Sequence, residues 1–239
     1  MFGLIVKLSL VFCVTAIPSP ITGGENAVDA QIPYQLNLQK QKKTTCGAVL
    51  IARKIALTAG HCTFEVPVYS LSVIAATLEQ YDEGVTIKVD RKEEHPRYHF
   101  KDNLYDISIL FLKKPFTLGS RIQTIDLPGP NEVIPAGAFA TVSGWGLDKE
   151  GGEFTIDLKF AKIPIWEHSE CYKALLNIKS PVYCGGYKSG KINACVGDSG
   201  GPLVYNNKLF GLVSFGFGCV LPDGDVCHFL LSLEAILRI

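Results

Sequence analysis

Three short stretches of the chain carry side chains that could do nucleophilic and acid–base chemistry together. LTAGHC ends in His61 and Cys62, DNLYDISILFL places Asp106 before an apolar run, and NACVGDSGGPLV places Ser199 among glycines. Each stretch alone is weak evidence, because such residues usually serve packing, strand starts and loops. Together they supply a nucleophile, a general base and a carboxylate that orients the base.

The glycines around Ser199 fit the same chemistry. Attack of a serine hydroxyl on an amide carbonyl creates an oxyanion, which backbone N–H groups stabilise when they point at it from close range. Gly197 and Ser199 flank Asp198 in a glycine-dense turn, and glycine permits the backbone conformations that such turns need. We therefore expect the amides of Gly197 and Ser199 to form an oxyanion hole.

The elements that hold these residues are expected to be β-strands. Short runs rich in Val, Ile, Leu, Phe and Thr recur, among them YQLNLQ, KIALTA, VTIKV, ISILFL and LFGLVSF, and turn residues separate them. Many short strands at this spacing predict an all-β chain of antiparallel barrels or sandwiches. Two helices are predicted, HSECYKALLNI from about Ser169 and Glu170, and LSLEAILRI at the C-terminus.

Composition and the N-terminus limit the partners and the compartment. The 239 residues include 23 basic and 23 acidic ones, so no charge field favours nucleic acid or an anionic membrane surface. Residues 1–16 have the pattern of a signal peptide: Lys7 precedes a short apolar run, and the small residues Val14 and Ala16 suit cleavage after Ala16. That run is too short to span a bilayer. We expect a secreted, extracellular protein.

The cysteines are expected to form disulfides. An exported chain meets an oxidising compartment. Because Cys13 leaves with the signal peptide, an odd number of the 8 cysteines stays in the mature chain. None of them has the CxxC spacing of a zinc site, so one thiol is expected to stay unpaired. We expect no metal ion and no cofactor. A calcium loop around Glu79 to Glu83 stays open as an alternative, although its carboxylates are spaced too loosely to assert one.

In their order and residues, LTAGHC, DISILFL and GDSGGPLV resemble the trypsin/chymotrypsin-like serine peptidases. The resemblance runs from Ile21 nearly to the C-terminus and includes CGAVLI (46–51), HPRY (95–98), SGWG (143–146) and VSFGFGC (213–219). It implies two packed antiparallel six-stranded β-barrels, at roughly residues 21–120 and 121–239, with a C-terminal helix. It also implies Ser199 as nucleophile, His61 as general base and Asp106 as the residue that orients His61.

The same resemblance implies three disulfides and an activation step. The disulfides are Cys46–Cys62, Cys171–Cys184 and Cys195–Cys219, which leaves Cys227 as a small buried thiol. Cleavage in this family frees an amino group, here that of Ile21, which pairs with Asp198. A precursor without that ammonium would bury an unpaired carboxylate, which is costly.

The residue before Ile21 departs from the family, because Pro20 stands where relatives usually carry Arg or Lys. If the signal peptide ends at Ala16, residues 17–20 form a pro-segment, Ile-Pro-Ser-Pro, of two X-Pro dipeptides. An X-Pro dipeptidyl peptidase would remove both and stop at Ile21, which is followed by Thr22. The alternative is that the signal peptidase itself cuts after Pro20.

Substrate preference is less sharply indicated. By resemblance, Asn193 forms the floor of the pocket for the side chain before the scissile bond, with Phe215, Gly216 and Gly218 at its wall and entrance. Asp225 stands where glycine is usual, and a carboxylate there would attract Arg or Lys. PDGD is also good turn chemistry, so Asp225 could instead lie in a solvated turn. We expect a preference for basic residues, or a broad one.

The combined interpretation is a secreted, monomeric serine endopeptidase of arthropod digestive type that works through an acyl-enzyme. Its expected partners are protein or peptide substrates and an activating peptidase, with macromolecular protease inhibitors as further candidates. The alternative is a protease-fold protein that binds its target with weak or no catalysis. Departures from the family pattern favour that alternative, namely Pro20, Thr22, Gly60, Phe215, Cys227 and Ala235, whereas the complete triad favours the enzyme.

Overall fold

Antiparallel β-strands make up most of the regular structure. The computed structural model describes residues 24–101, 104–148, 151–174, 182–187, 194–216 and 228–232. The signal peptide, the pro-segment and Ile21 lie outside these residues. A short strand, β1 (Glu25–Asn26), comes first, and the strands that follow form two sheets. The prediction of an all-β chain is confirmed.

The first sheet is a closed barrel. Its six strands are β2 (Gln35–Lys40), β3 (Lys43–Ala52), β4 (Ile55–Thr58), β5 (Leu71–Ala75), β6 (Val85–Glu94) and β7 (Ser108–Leu112). They close in the order β2-β3-β4-β7-β6-β5. Leu38, Leu50 and Leu110 are fully buried inside it. Closure leaves no strand edge unpaired around the barrel.

The second sheet has seven strands. They are β1 with β8 (Phe139–Gly144), β9 (Lys159–Pro164), β10 (Val182–Gly185), β11 (Pro202–Tyr205), β12 (Lys208–Gly216) and β13 (His228–Ser232). The order is β1-β9-β8-β11-β12-β13-β10. The resemblance implied six strands here. The seventh is β1, whose two residues pair with Phe160 and Lys159 of β9.

One helix and two 3₁₀ turns complete the described elements. The helix α1 spans His168–Ala174, where the sequence predicted one, and the 3₁₀ turns span Gly60–Cys62 and Val68–Ser70. Leu231 and Ser232 were predicted to be helical, but they belong to β13, which pairs with both β10 and β12. The rest of that predicted helix, residues 233–239, lies outside the described residues. Within the described segments, no helix is both long and apolar enough to cross a membrane.

An apolar cluster joins the two sheets behind the predicted site. Val49 and Leu57 of β3 and β4 pack with Leu209 and Leu212 of β12, and all four side chains are buried. Ile107, the residue after the predicted orienting carboxylate, belongs to the same cluster. Packing between the sheets therefore fixes the backbone that carries this carboxylate.

A β-bulge in β6 sets which side chains face the predicted site. Val89 pairs with Leu112 and Arg91 pairs with Phe111, which leaves Asp90 as an extra residue on β6. An extra residue changes the phase in which later side chains alternate between the two faces of a strand. Beyond the bulge, Arg91 and Glu93 lie on the exposed side of β6. Lys92 and Glu94 lie on the other side and contact the segment that follows the predicted base.

Candidate active site

A buried carboxylate orients the predicted base. Asp106 is 0% exposed and lies just before β7. The Nδ1 atom of His61 lies 2.8 Å from Oδ2 of Asp106, and the backbone N–H of His61 donates to Oδ1 at 2.7 Å. Because a carboxylate accepts hydrogen bonds, the ring proton belongs on Nδ1, and Nε2 is left to accept a proton. The structure therefore brings two of the three predicted catalytic residues into direct contact.

A third donor reaches this carboxylate from the second sheet. Ser214 of β12 is buried, and its hydroxyl donates to Oδ2 of Asp106 at 2.5 Å. Sequence analysis did not assign a role to Ser214, although the residue lies in VSFGFGC, which served only as a mark of the family. The position of this hydroxyl within a family motif was the signal that could have indicated its role.

Gly60, where the family usually has alanine, is accommodated by close packing. A Cβ atom built on Gly60 would lie 3.1 Å from Cδ2 of Tyr98 and 3.2 Å from Oδ1 of Asp106. These distances are tighter than ordinary van der Waals contact. The glycine therefore leaves no void beside His61, because the Tyr98 ring fills the space.

The turn that carries Ser199 touches both sheets. The Gly47 N–H of β3 donates to the Ser199 carbonyl at 2.7 Å, and the Gly200 N–H donates to β12, also at 2.7 Å. Gly200 has φ +76°, and a Cβ atom there would lie 2.2 Å from Oγ1 of Thr58, so only glycine fits. Thr58 ends β4, three residues before His61. The structure thus places the Ser199 turn beside the segment of the predicted base.

Gly197, one of the two residues predicted to form the oxyanion hole, lies against an aromatic ring. Gly197 has φ +97°, and a Cβ atom built on it would lie 2.6 Å from Cε1 of Phe154. Among the bonds between described residues, neither the Gly197 nor the Ser199 N–H donates to a backbone carbonyl. The contact with Phe154 was not foreseen, because nothing in the sequence links residue 154 to this turn.

Asp198 is buried between two short stretches of backbone. Its carboxylate accepts hydrogen bonds from the N–H groups of Gly146 and Cys195, both at 2.8 Å. Gly144 and Gly146 make room for it, because Cβ atoms there would lie 2.2 Å from Oδ1 and 2.6 Å from Cγ. Burial raises the pKa of Asp198 to about 6, and the two backbone hydrogen bonds offset only part of that effect. Its predicted partner, Ile21, lies outside the described residues.

The disulfides hold the loops around the site. Cys46–Cys62 has an S–S length of 2.01 Å and ties the turn of His61 to β3, and Cys171–Cys184 links α1 to β10. Cys195 is disulfide-bonded as well, whereas its predicted partner Cys219 lies outside the described residues. His61 and the first pair of sulfurs lie within 4.8 Å of one another, but sulfurs bonded to each other cannot act as thiolate ligands for a metal.

Part of the predicted specificity pocket lies in β12. Phe215 is partly buried and packs against Val182 and the Cys171–Cys184 disulfide, and Gly216 is exposed at the end of the strand. Asn193, Gly218, Asp225 and Cys227 lie outside the described residues, as does Ala235.

Lys92 and Glu94 hold the segment that follows His61. Lys92 Nζ donates to the Thr63 carbonyl at 2.6 Å and to Oε1 of Glu94 at 2.5 Å, and the Thr63 hydroxyl donates to the same Oε1 at 2.8 Å. Thr63 is fully buried. Burial disfavours the charged form of Glu94, but hydrogen bonds from Lys92 and Thr63 outweigh it and hold the pKa of Glu94 below its usual value. Sequence analysis did not single out either charged residue.

Replacing Lys92 with methionine should loosen the segment behind the predicted base. The amides of Thr63 and Phe64 donate to the start of the 3₁₀ turn, and they should exchange hydrogen with solvent at least about tenfold faster. Hydrogen–deuterium exchange measures these rates. Arg91→Met is the matched control, because Arg91 pairs with Glu93 on the exposed side of the same strand. Equal acceleration in both variants would contradict a special role for Lys92.

Burial of Asp198 should make the stability of the precursor, with residues 17–20 attached, depend on pH. The folded-state pKa of about 6 exceeds the ordinary 3.8, so the folded chain holds this proton more tightly than the unfolded chain. The resulting stabilisation is complete below the lower value and disappears as the pH rises through the upper one.

Urea unfolding between about pH 4 and about pH 7 tests this dependence, with Asp198→Asn as the variant that cannot titrate there. Over that range the wild-type chain should lose about 2.4 kcal/mol more of its free energy of unfolding than the variant. Parallel curves for the two proteins would show that Asp198 does not bind its proton more tightly when folded.

Comparisons with known proteins agree with this geometry. The sequence model of the family described as Trypsin matches residues 21–227. A vitellin-degrading protease of Bombyx mori is 34% identical over 206 residues, covering 85% of this chain and 78% of that protein. Trypsin 5G1 of Aedes aegypti is 32% identical over 203 residues, covering 83% and 76%.

The fold is similar to that of a solved structure. Human heparin binding protein superimposes with a TM-score of 0.79 at 25% identity, covering 89% of this chain and 92% of that one. The predictions of family and fold class are confirmed by these matches. The chain belongs to the trypsin family, and it is a serine-type endopeptidase.

Proposed function

We propose that the chain is a secreted endopeptidase that cleaves peptide bonds through an acyl-enzyme formed on Ser199. The observation that carries the proposal is the pairing of His61 with the buried Asp106, beside the turn that holds Ser199. The N-terminal signal-peptide pattern supports secretion. We expect protein or peptide substrates, regulation by macromolecular protease inhibitors, and a monomeric enzyme.

Proton transfers through His61 drive both halves of the reaction. His61 Nε2 takes the proton of the Ser199 hydroxyl as the serine oxygen attacks the carbonyl carbon, and it then gives that proton to the leaving nitrogen as the C–N bond breaks. Water, deprotonated by His61, next attacks the acyl carbon and releases the acid and a free serine. Asp106 holds Nδ1–H throughout and balances the positive charge of the imidazolium.

The oxyanion of each tetrahedral intermediate is stabilised by the N–H groups of Gly197 and Ser199. Asp198 lies between these two residues, so the position of its carboxylate determines where the two amides point. Its side chain is buried with only uncharged backbone donors among the described residues. We infer that the ammonium of a freed Ile21 supplies the missing positive charge and completes the oxyanion hole.

Removal of residues 17–20 is therefore the proposed activation step. After signal cleavage at Ala16, an X-Pro dipeptidyl peptidase would release Ile-Pro and then Ser-Pro, and would stop at Ile21 because Thr22 is not proline. A signal peptidase that cuts after Pro20 is the alternative route to the same N-terminus.

Fluorophosphonate labelling tests the nucleophile and its activation. Protein that begins at Ile21 should be labelled at Ser199, and Ser199→Ala should not be labelled. Protein that begins at Ile17 should react at least about 100-fold more slowly, because a misplacement of about 1 Å in the catalytic groups costs that much. Equal labelling of the two forms would rule out activation by Ile21, and a folded Ile21 form that is not labelled would rule out an active Ser199.

The proposed substrate preference is for a basic residue before the scissile bond, or a broad one. The proposal rests on Asp225, aligned at the pocket wall, with Asn193 as a neutral hydrogen-bonding neighbour. A carboxylate in a closed pocket favours Arg or Lys. Similarity to a protein named trypsin supports the same preference.

Asp225→Gly should lower the ratio of kcat/KM for an Arg anilide to that for a Phe anilide by at least about tenfold. Asp223→Gly removes the neighbouring carboxylate of the PDGD segment and is the matched control. It should leave the ratio unchanged, because Asp223 is not aligned with the pocket wall. If both variants keep the wild-type ratio, Asp225 does not set specificity.

A binding protein with weak or no catalysis is the second candidate function. The solved structure with the TM-score of 0.79 is named for binding heparin, so a chain of this fold can carry a binding function. Departures at Pro20, Thr22, Phe215, Cys227 and Ala235 also favour it. The labelling experiment separates the two candidates, since only the enzyme needs an activated Ser199.

A further inference from the structure

A cleft of about 440 Å³ lies between the β2–β3 turn and Phe154. One wall, at the turn, is formed by Gln39, Lys42, Lys43 and Thr44, and the other by Gln80, Tyr81 and Phe154. Tyr81 and Phe154 are 76% and 50% exposed, so the second wall presents apolar surface. The described mechanism uses none of these seven side chains.

Both walls of the cleft lead to the nucleophile turn. Gly47 donates to the Ser199 carbonyl, and β3 runs from Gly47 back to Lys43 over four residues, or about 13 Å at the rise of a β-strand. On the other wall, the ring of Phe154 lies against Gly197. The pocket proposed for the residue before the scissile bond is on β12, on the other side of the turn. The cleft therefore borders the leaving-group half of a substrate.

The charged groups of the cleft are two lysines without a counter-ion among the described residues. Gln80 is only 3% exposed, and its buried Nε2 atom has no hydrogen-bond partner in the described part of the chain. Gln80 therefore shapes the wall of the cleft, and the lysines supply its charge. Lys42 and Lys43 are exposed, and neither forms an ion pair with a described residue.

No carboxylate lines the cleft among the described residues. Glu79, Asp82 and Glu153 are neighbours in sequence of its lining residues, but all three are exposed and stand outside it. Two lysines, two aromatic rings and uncharged polar side chains thus line one cleft. This set suits a short side chain with methylenes and a terminal carboxylate.

We propose that this cleft is a subsite for an acidic side chain, Glu or Asp, located about three or four residues after the scissile bond. Lys42 and Lys43 attract the carboxylate, and Tyr81 and Phe154 cover the methylenes. This inference rests on the proposed peptidase function and defines which substrates that function favours.

Paired substrates test the proposal with the enzyme that begins at Ile21. Quenched fluorescent peptides would carry Glu or its neutral isostere Gln at the second, third or fourth position after the scissile bond. The ratio of kcat/KM for Glu over Gln should reach about threefold to tenfold at one position, and it should fall toward one as salt rises from about 0.05 M to about 0.5 M.

The same ratio in variants assigns the effect to the cleft. Lys42→Glu/Lys43→Glu should reduce the ratio below one, because it replaces both cations of the cleft with carboxylates. Lys113→Glu/Lys114→Glu is the matched control, because these two lysines are also adjacent and exposed but lie after β7. The control should keep the wild-type ratio. A loss equal to that of the Lys42/Lys43 variant would overturn the proposal.

Two further measurements separate this inference from the proposed function. Cleavage of an anilide, which has no residue after the scissile bond, reports the Ser199 chemistry alone. If the enzyme cleaves the anilide but shows a Glu/Gln ratio of one at every peptide position, only the subsite is overturned. Fluorescence polarisation with Ser199→Ala compares the same peptides without catalysis, and tighter binding of Glu than Gln supports the subsite even if no cleavage occurs. Equal binding of both, with a heparin oligosaccharide held by the same lysines, would replace it with a polysaccharide site.

Discussion

The carboxylate of Asp106 is the interaction on which the site depends. It is completely buried and has three donors: the N–H and Nδ1 of His61, in the 3₁₀ turn that follows β4 of the barrel, and the hydroxyl of Ser214 in the second sheet. A buried charge of this kind is tolerated only when hydrogen bonds satisfy it. Its burial therefore requires the two sheets to meet at this point. The apolar cluster of β3, β4 and β12 provides that contact.

Asp198, the residue before the nucleophile, carries a second buried carboxylate, and its negative charge is less fully compensated than that of Asp106. Asp106 receives donors from the proposed base, His61, and from Ser214, whereas Asp198 receives only two backbone N–H groups among the described residues and has a raised pKa. The glycines of SGWG allow the backbone to approach Asp198 closely. One carboxylate is thus satisfied by the fold, and the other depends on a positive charge that chain cleavage can supply. That difference gives the proposed activation step its physical basis.

Residue types and their order were enough to predict the all-β class, the helix near residue 169 and the neighbourhood of His61 and Asp106. They did not predict β13, because the sequence pattern at Leu231 and Ser232 also fits an amphipathic helix. Pairing with β10 and β12 on both sides holds these residues in a strand. Tertiary contacts of this kind override local preference. The two residues of β1 are too few to show a period. The role of Ser214 and the contact of Phe154 with Gly197 both join residues far apart in sequence, so no local pattern reveals them.

The β-bulge at Asp90 also decides how tolerant this chain is to insertions and deletions. The strand reads Arg-Lys-Glu-Glu after the bulge, so two basic and two acidic side chains alternate between its faces. Loss of the single extra residue would keep every one of these charges, yet it would turn Arg91 and Glu93 toward the His61 segment and turn Lys92 and Glu94 toward solvent. The composition of the chain would be almost unaltered, but Arg91 and Glu93 would replace Lys92 and Glu94 behind the proposed base. Asp90 therefore acts as a spacer for the site without contacting it. Relatives of this chain would need to retain a residue at this position, whatever its type.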